Sequence, residues 1–116
     1  MTEVYLPYPP TANNLFPTGK SGKRFISPEY RAWKELAGYV LNTQHPKPVP
    51  GKVAVAYEFR RPDGRRRDVG NLEKATTDLL VSAGVIEDDC LIEELTLRWA
   101  YDVPWEVRAT VSPVTP

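Results

Sequence analysis

The stretch RRRDVGNLEKATTDLLVSAGVIEDD sets three arginines, Arg65, Arg66 and Arg67, directly before Asp68 and closes on Asp88 and Asp89. Guanidinium groups seek phosphate oxygens, and carboxylates are the oxygen ligands of a hard divalent cation, so the pattern suits polyanion binding beside a metal site. A solvated basic loop running into an ordinary helix uses the same residues. Lys74 falls in the first turns of that helix, where the positive end of the helix dipole disfavours a cation. It either serves a phosphate oxygen or leaving group, or pairs with Asp78 four residues on. A helix of about a dozen residues is roughly 18 Å long. Asp68 and the pair Asp88 and Asp89 can therefore meet only if the chain after the helix doubles back, or if Asp68 sits on a strand extension beside it. Otherwise they are unrelated surface acids. A second basic cluster, Lys20, Lys23 and Arg24, lies in a polar, glycine-containing stretch that also holds Asn14, and such a loop can order over a nucleic-acid strand.

Bulk composition excludes more than it selects. The 116 residues suffice for one domain with a real core, so residues 1–116 read as a single domain. Fifteen basic side chains balance fifteen acidic ones, which leaves the argument about nucleic acid to local clustering. The single cysteine, Cys90, excludes an internal disulfide and reads as a buried core thiol rather than a nucleophile. His45 has no second histidine or cysteine to build a structural zinc site. No glycine-rich phosphate loop points to a nucleotide cofactor. No apolar run approaches the roughly 20 residues of a membrane helix, and no charged leader opens the chain. A soluble protein of a reducing compartment, the cytoplasm, is the expectation.

The elements that must position these residues follow from periodicity. A short edge strand is expected over residues 3–6 before the prolines, then a long polar loop through residue 26 without a period that holds it to the core. Ser27 and Pro28 start a helix running to about residue 42, with Tyr30, Trp33, Ala37 and Val40 as its apolar stripe. Val53, Val55, Tyr57 and Phe59 alternate as a central strand. Asp63-Gly64 marks a turn, Asn71 is suited to cap the second helix, and Leu72, Ala75, Leu79 and Ala83 mark its buried side. Gly84 is placed to end it in a left-handed turn. ELTLRWAY and WEVRATVS read as a terminal hairpin, and Trp33, Trp99 and Trp105 as core residues. The order β-α-β-α-β-β gives an α+β fold with two helices packed on a small mixed sheet. No repeat or low-complexity tract interrupts it.

The run RRRDVGNLEKATTDLL followed by AGVIEDD, with PYPPTANNLF near the start, resembles the RusA family of Holliday-junction resolvases, small endonucleases often carried by prophages. The resemblance spans most of the chain. It implies a dimeric α+β nuclease that binds four-way DNA junctions and nicks two opposed strands symmetrically with magnesium, for which manganese can substitute. It makes Asp68 and Asp89 metal ligands, Lys74 a catalytic lysine and Arg67 a phosphate contact. Arg65, Arg66, Asn71 and the basic cluster near Asn14 join the expected DNA surface. One position departs from the family's Asp-x-Asp-Asn pattern: here it reads Asp68-Val69-Gly70-Asn71. Glycine offers no side-chain oxygen, so one expected acid is missing, with Glu73 or Asp88 as replacements. The alternative reading is therefore a junction-binding protein that cleaves weakly or not at all. A third class, a structural domain with basic loops as mere solvent-facing decoration, has the same composition.

Overall fold

The computed structural model describes residues 1–16 and 25–114. Its elements are β1 (Thr2–Leu6), α1 (Pro28–Thr43), β2 (Val53–Arg60), α2 (Glu73–Ser82), β3 (Ile92–Ala100) and β4 (Val107–Pro113), with short 3-10 turns at Ala12–Asn14, Val69–Leu72 and Asp89–Leu91. The four strands form one mixed sheet in the order β1-β4-β2-β3. β2 pairs parallel with β3 and antiparallel with β4, and β4 pairs antiparallel with β1. The expected α+β fold and element order hold.

Alternation decides which face of the sheet is buried. Val55, Tyr57 and Phe59 of β2, Val4 and Leu6 of β1, and Val107, Ala109 and Val111 of β4 point to the helices and are buried. Against them α1 places Tyr30, Trp33, Ala37 and Leu41, and α2 places Ala75, Leu79 and Leu80. Fully burying one such Val or Leu side chain contributes about 1.5–3 kcal/mol. The opposite face carries Glu58, which accepts from Arg98 on one side and from Arg108 Nε at 2.6 Å on the other, tying β2 to both neighbours.

Several local expectations are corrected. The terminal hairpin does not form: β3 and β4 flank β2 instead of pairing with each other. Residues 101–106 let the chain step past the end of β2, and the small Ala54 and Ala56 accompany a strand that is paired on both edges. The stripe on α1 ends at buried Leu41 rather than half-buried Val40. On α2, Thr76, Thr77 and Leu80 are buried while Ala83, already past the last helical residue, is exposed. The polar stretch after β1 is not wholly loop, because Leu15 is fully buried and its carbonyl accepts from the Ser27 N–H at 2.9 Å. Trp33 is buried and Trp99 partly so, but Trp105 is exposed. Cys90 is exposed rather than buried.

The helix ends behave as their residues suggest. Ser27 Oγ accepts from the Tyr30 N–H at 3.1 Å, with Pro28 in the first turn. At the end of α2 Gly84 adopts φ +80°, and its N–H and that of Val85 bond back to the Val81 and Leu80 carbonyls. This left-handed turn aims the chain toward Asp88 and Asp89. A Cβ at Gly84 meets nothing within 4 Å, so the only obstacle to a side chain is conformational. Gly84→Ala is expected to lower unfolding free energy by about 1–2 kcal/mol. Urea unfolding monitored by tryptophan fluorescence checks this, and an unchanged midpoint would refute the strain argument.

Candidate active site

Asp68 stands between β2 and α2 and is itself a cap. Its Oδ1 accepts from the Gly70 N–H at 3.1 Å and its carbonyl from the Asn71 N–H at 3.1 Å, closing the 3-10 turn Val69–Leu72. The capping role expected of Asn71 is thus taken by Asp68, three residues earlier, because the chain enters the helix through a tighter turn first. Asp68, Asn71, Arg66, Arg67, Tyr8 and Thr11 line one cleft of about 190 Å³.

The arginine run is internally braced. Arg67 makes a two-pronged pair with Asp63, Nε to Oδ1 at 3.1 Å and Nη2 to Oδ2 at 2.7 Å. Asp63 Oδ1 also accepts the Arg65 N–H at 3.0 Å, and Arg61 donates to the Arg65 carbonyl at 3.1 Å while its guanidinium lies 4.5 Å from the centre of the Trp99 ring. The hydrogen bond from Arg67, then that from the Arg65 backbone, holds the Asp63 carboxyl down to about 2. Burial raises the nearby Tyr8 hydroxyl, which Arg67 partly opposes. The fork of Arg67 that matches a phosphate is already engaged by a carboxylate of similar shape.

Lys74 and Asp89 belong to a second cleft, of about 360 Å³, beside α2 and β3, which Glu73, Asp78 and Glu93 also line. Of the two readings of Lys74, the pairing is present: its ammonium lies 3.5 Å from Asp78, another residue of this cleft. Tyr30 donates its hydroxyl to Asp78 Oδ2 at 3.2 Å, and burial, then the Asp78 charge, pushes that hydroxyl well above its ordinary value. Glu73 accepts from the Thr77 hydroxyl. Because a carboxylate only accepts, Thr77 must donate there, and Tyr57 in turn donates to Thr77 at 2.8 Å. A core tyrosine therefore fixes Glu73 through one intervening hydroxyl.

Asp88 caps the turn Asp89–Leu91, accepting the Cys90 N–H at 3.0 Å, and that bond holds its carboxyl below the ordinary range. The Asp88 carboxylate in turn pushes the Cys90 thiol upward, which disfavours the thiolate and agrees with a non-nucleophilic cysteine.

The structure therefore gathers Asp68, Asn71, Arg66 and Arg67 in one cleft, and Glu73, Lys74 and Asp89 in another. Asp68 and Asp89 line different clefts. Among the described residues no three His, Cys, Asp or Glu side chains stand together as a metal centre. Exposed Asn14 ends the turn beside Thr11, whereas Lys20, Lys23 and Arg24 lie outside the described residues. Sequence reasoning missed Asp63 as the partner of Arg67, although the i,i+4 spacing signals it. It also missed Tyr8, whose backbone is held by Glu106 far along the chain. No local signal marks that contact.

Asp63 gives a direct test of the braced loop. Its carboxyl is depressed in the folded protein, so its stabilising pairing is complete above the ordinary carboxylate value of 3.8 and is lost as pH falls through about 2. A side-chain carboxyl NMR titration should place the Asp63 midpoint near 2, and Arg67→Ala should return it toward 3.8. A midpoint that ignores Arg67→Ala would rule the pairing out in solution.

Comparison with known proteins matches residues 7–111 to the family described as endodeoxyribonuclease RusA. The protein named crossover junction endodeoxyribonuclease RusA in Escherichia coli strain K12 is 33% identical over 90 residues, covering 77% of this chain and 74% of that protein. The protein of that name from enterobacteria phage 82 is 34% identical over 94 residues, with the same two shares. No helix among the described residues is long and apolar enough to cross a membrane.

Proposed function

The chain belongs to the RusA family, and from that premise we propose that it is a structure-specific endodeoxyribonuclease. It binds four-way DNA junctions and nicks opposed strands by magnesium-dependent phosphodiester hydrolysis, as a homodimer. The observation that carries this reading is the convergence of Arg66, Arg67, Asp68 and Asn71 on one cleft. Phosphate oxygens compete there with Asp63 for the Arg67 fork, so the loop is pre-shaped for an anion before DNA arrives. Salt should weaken this binding as counterions compete.

Asp68 and Asp89 are the proposed metal ligands, with Asp88 and Glu73 as further oxygen donors. Within one chain Asp68 lines one cleft, Glu73 and Asp89 line another, and Asp88 lines a third that Asp89 also borders. Asp68 follows β2 in sequence and Asp89 precedes β3, and the parallel pairing sets these two strand ends at opposite ends of the pair. A partner docked antiparallel along β3 would bring the Asp89 end of one protomer to the Asp68 end of the other. β3 is an edge strand of nine residues suited to this. Centred on Thr96, self-pairing sets Glu94 opposite the partner's Arg98 and Leu95 opposite the partner's Leu97. The other sheet edge differs, because the Gln44 side chain binds both the Tyr5 N–H and its carbonyl. Two equivalent sites also match a substrate with two-fold symmetry.

When bound, magnesium supplies Lewis-acid polarisation of the phosphate and lowers the pKa of the attacking water. The chain's own part is electrostatic: arginines seat the backbone, and Lys74 offsets charge that grows on the phosphate. Gly70 favours a second reading, junction binding with weak cleavage. A Cβ at Gly70 meets only Asp68 Oδ1, at an ordinary 3.5 Å, so the backbone admits a side chain there, and an aspartate would add the missing carboxylate.

A labelled four-way junction with magnesium or manganese tests these statements. Paired nicks are expected, and Asp68→Asn should slow them by no less than the roughly 10–100-fold that loss of a group merely supporting a metal ligand costs. Gly70→Asp should raise the rate. An unchanged rate would end the missing-ligand argument, and no nicking by either protein would end the nuclease reading. Glu94→Arg should weaken the dimer in sedimentation equilibrium and slow cleavage together. A monomer cutting at full rate would refute the two-chain site.

A further inference from the structure

The connection between β3 and β4, residues 101–106, exposes its two largest apolar side chains, Tyr101 at 80% and Trp105 at 46%. Single exposed aromatics are common on protein surfaces and carry no message. This pair differs because its loop is pinned. Val103 between them is buried, with 4% exposure. The Glu106 carbonyl accepts the Arg60 N–H at 2.9 Å, and the Glu106 carboxylate accepts the Tyr8 N–H at 2.8 Å. Those anchors join the loop to the arginine cleft, because Tyr8 lines that cleft with Arg66, Arg67 and Asp68. Tyr101 follows Ala100, the register partner of Arg60, so it emerges at the strand end where the arginine run begins. An anchored loop thus carries the two aromatic rings next to the arginine cleft.

Resting on the junction-binding reading above, we infer that Tyr101 and Trp105 form a stacking platform for bases exposed at a DNA branch point. Every base presents a π-face, so stacking on Tyr or Trp is indifferent to sequence but demands a base that has left its own stack. Continuous duplex offers few such bases, whereas a branch point offers several. The arginines hold any DNA, and the aromatic pair discriminates the branched form. Because the rings carry no charge, they alter this preference without altering the number of counterions released.

The test compares binding of the protein to a four-way junction and to a duplex of equal length, across salt concentrations. Tyr101→Ala with Trp105→Ala should weaken junction binding by about tenfold or more, with duplex binding and the salt slope unchanged. Tyr101→Phe with Trp105→Phe should retain the preference. A 2-aminopurine at the branch point should be quenched by the wild-type protein and not by the double alanine variant. Equal losses on junction and duplex, or quenching that survives both alanines, would overturn the platform. A wild-type protein without junction preference would overturn the resolvase reading and this inference together, whereas a preference that outlasts both alanines overturns this inference alone.

Discussion

Parallel pairing of β2 with β3 is the constraint on which the rest of the structure depends. Two parallel strands cannot be joined by a tight turn, so the chain must leave one end of the sheet and return to the other. α2 makes that return. The segment leaving β2 carries the arginines and Asp68, while the segment entering β3 carries Asp88 and Asp89. The crossover therefore separates the two acidic stations along the chain. It also leaves β3 at the sheet edge, since the opposite side of β2 is occupied by β4. The division of the candidate ligands and the availability of an edge for a partner share this origin.

Charge is balanced locally rather than globally. The equal totals of acids and bases conceal a braced basic loop, in which Asp63 orders Arg67 and the Arg65 backbone. Such an exposed pair contributes little to folding stability in water. Its consequence is conformational, because it holds the guanidinium in one orientation against Asp63. Lys74 is treated similarly, with Asp78 beside it and Tyr30 holding Asp78 from the core. Core hydroxyls thus reach outward to fix surface charges, which links the packing of α1 and β2 to the clefts.

Much of this was legible in the sequence because it is local. Ser27-Pro28 and Gly84 mark helix ends through their own backbone preferences. The alternation of β2 follows from one strand lying on one core. The spacing of the arginines, Asp68, Lys74 and the closing acids is itself RusA-like. Exposure at Cys90 and Trp105, and burial at Leu15, were misjudged because residue type gives only an average tendency and these positions depend on what passes overhead.

The sequence by itself determined the order of helices and strands, the start of α1, the turn that ends α2 and the family, since each rests on neighbours a few residues apart. Tertiary structure alone decided that β3 lies parallel to β2, that Asp68 and Asp89 occupy different clefts, and that Glu106 holds Tyr8. The physical reason is sequence separation. Strand pairing and cleft membership join groups tens of residues apart, and their free energies depend on the packed whole rather than on any local preference.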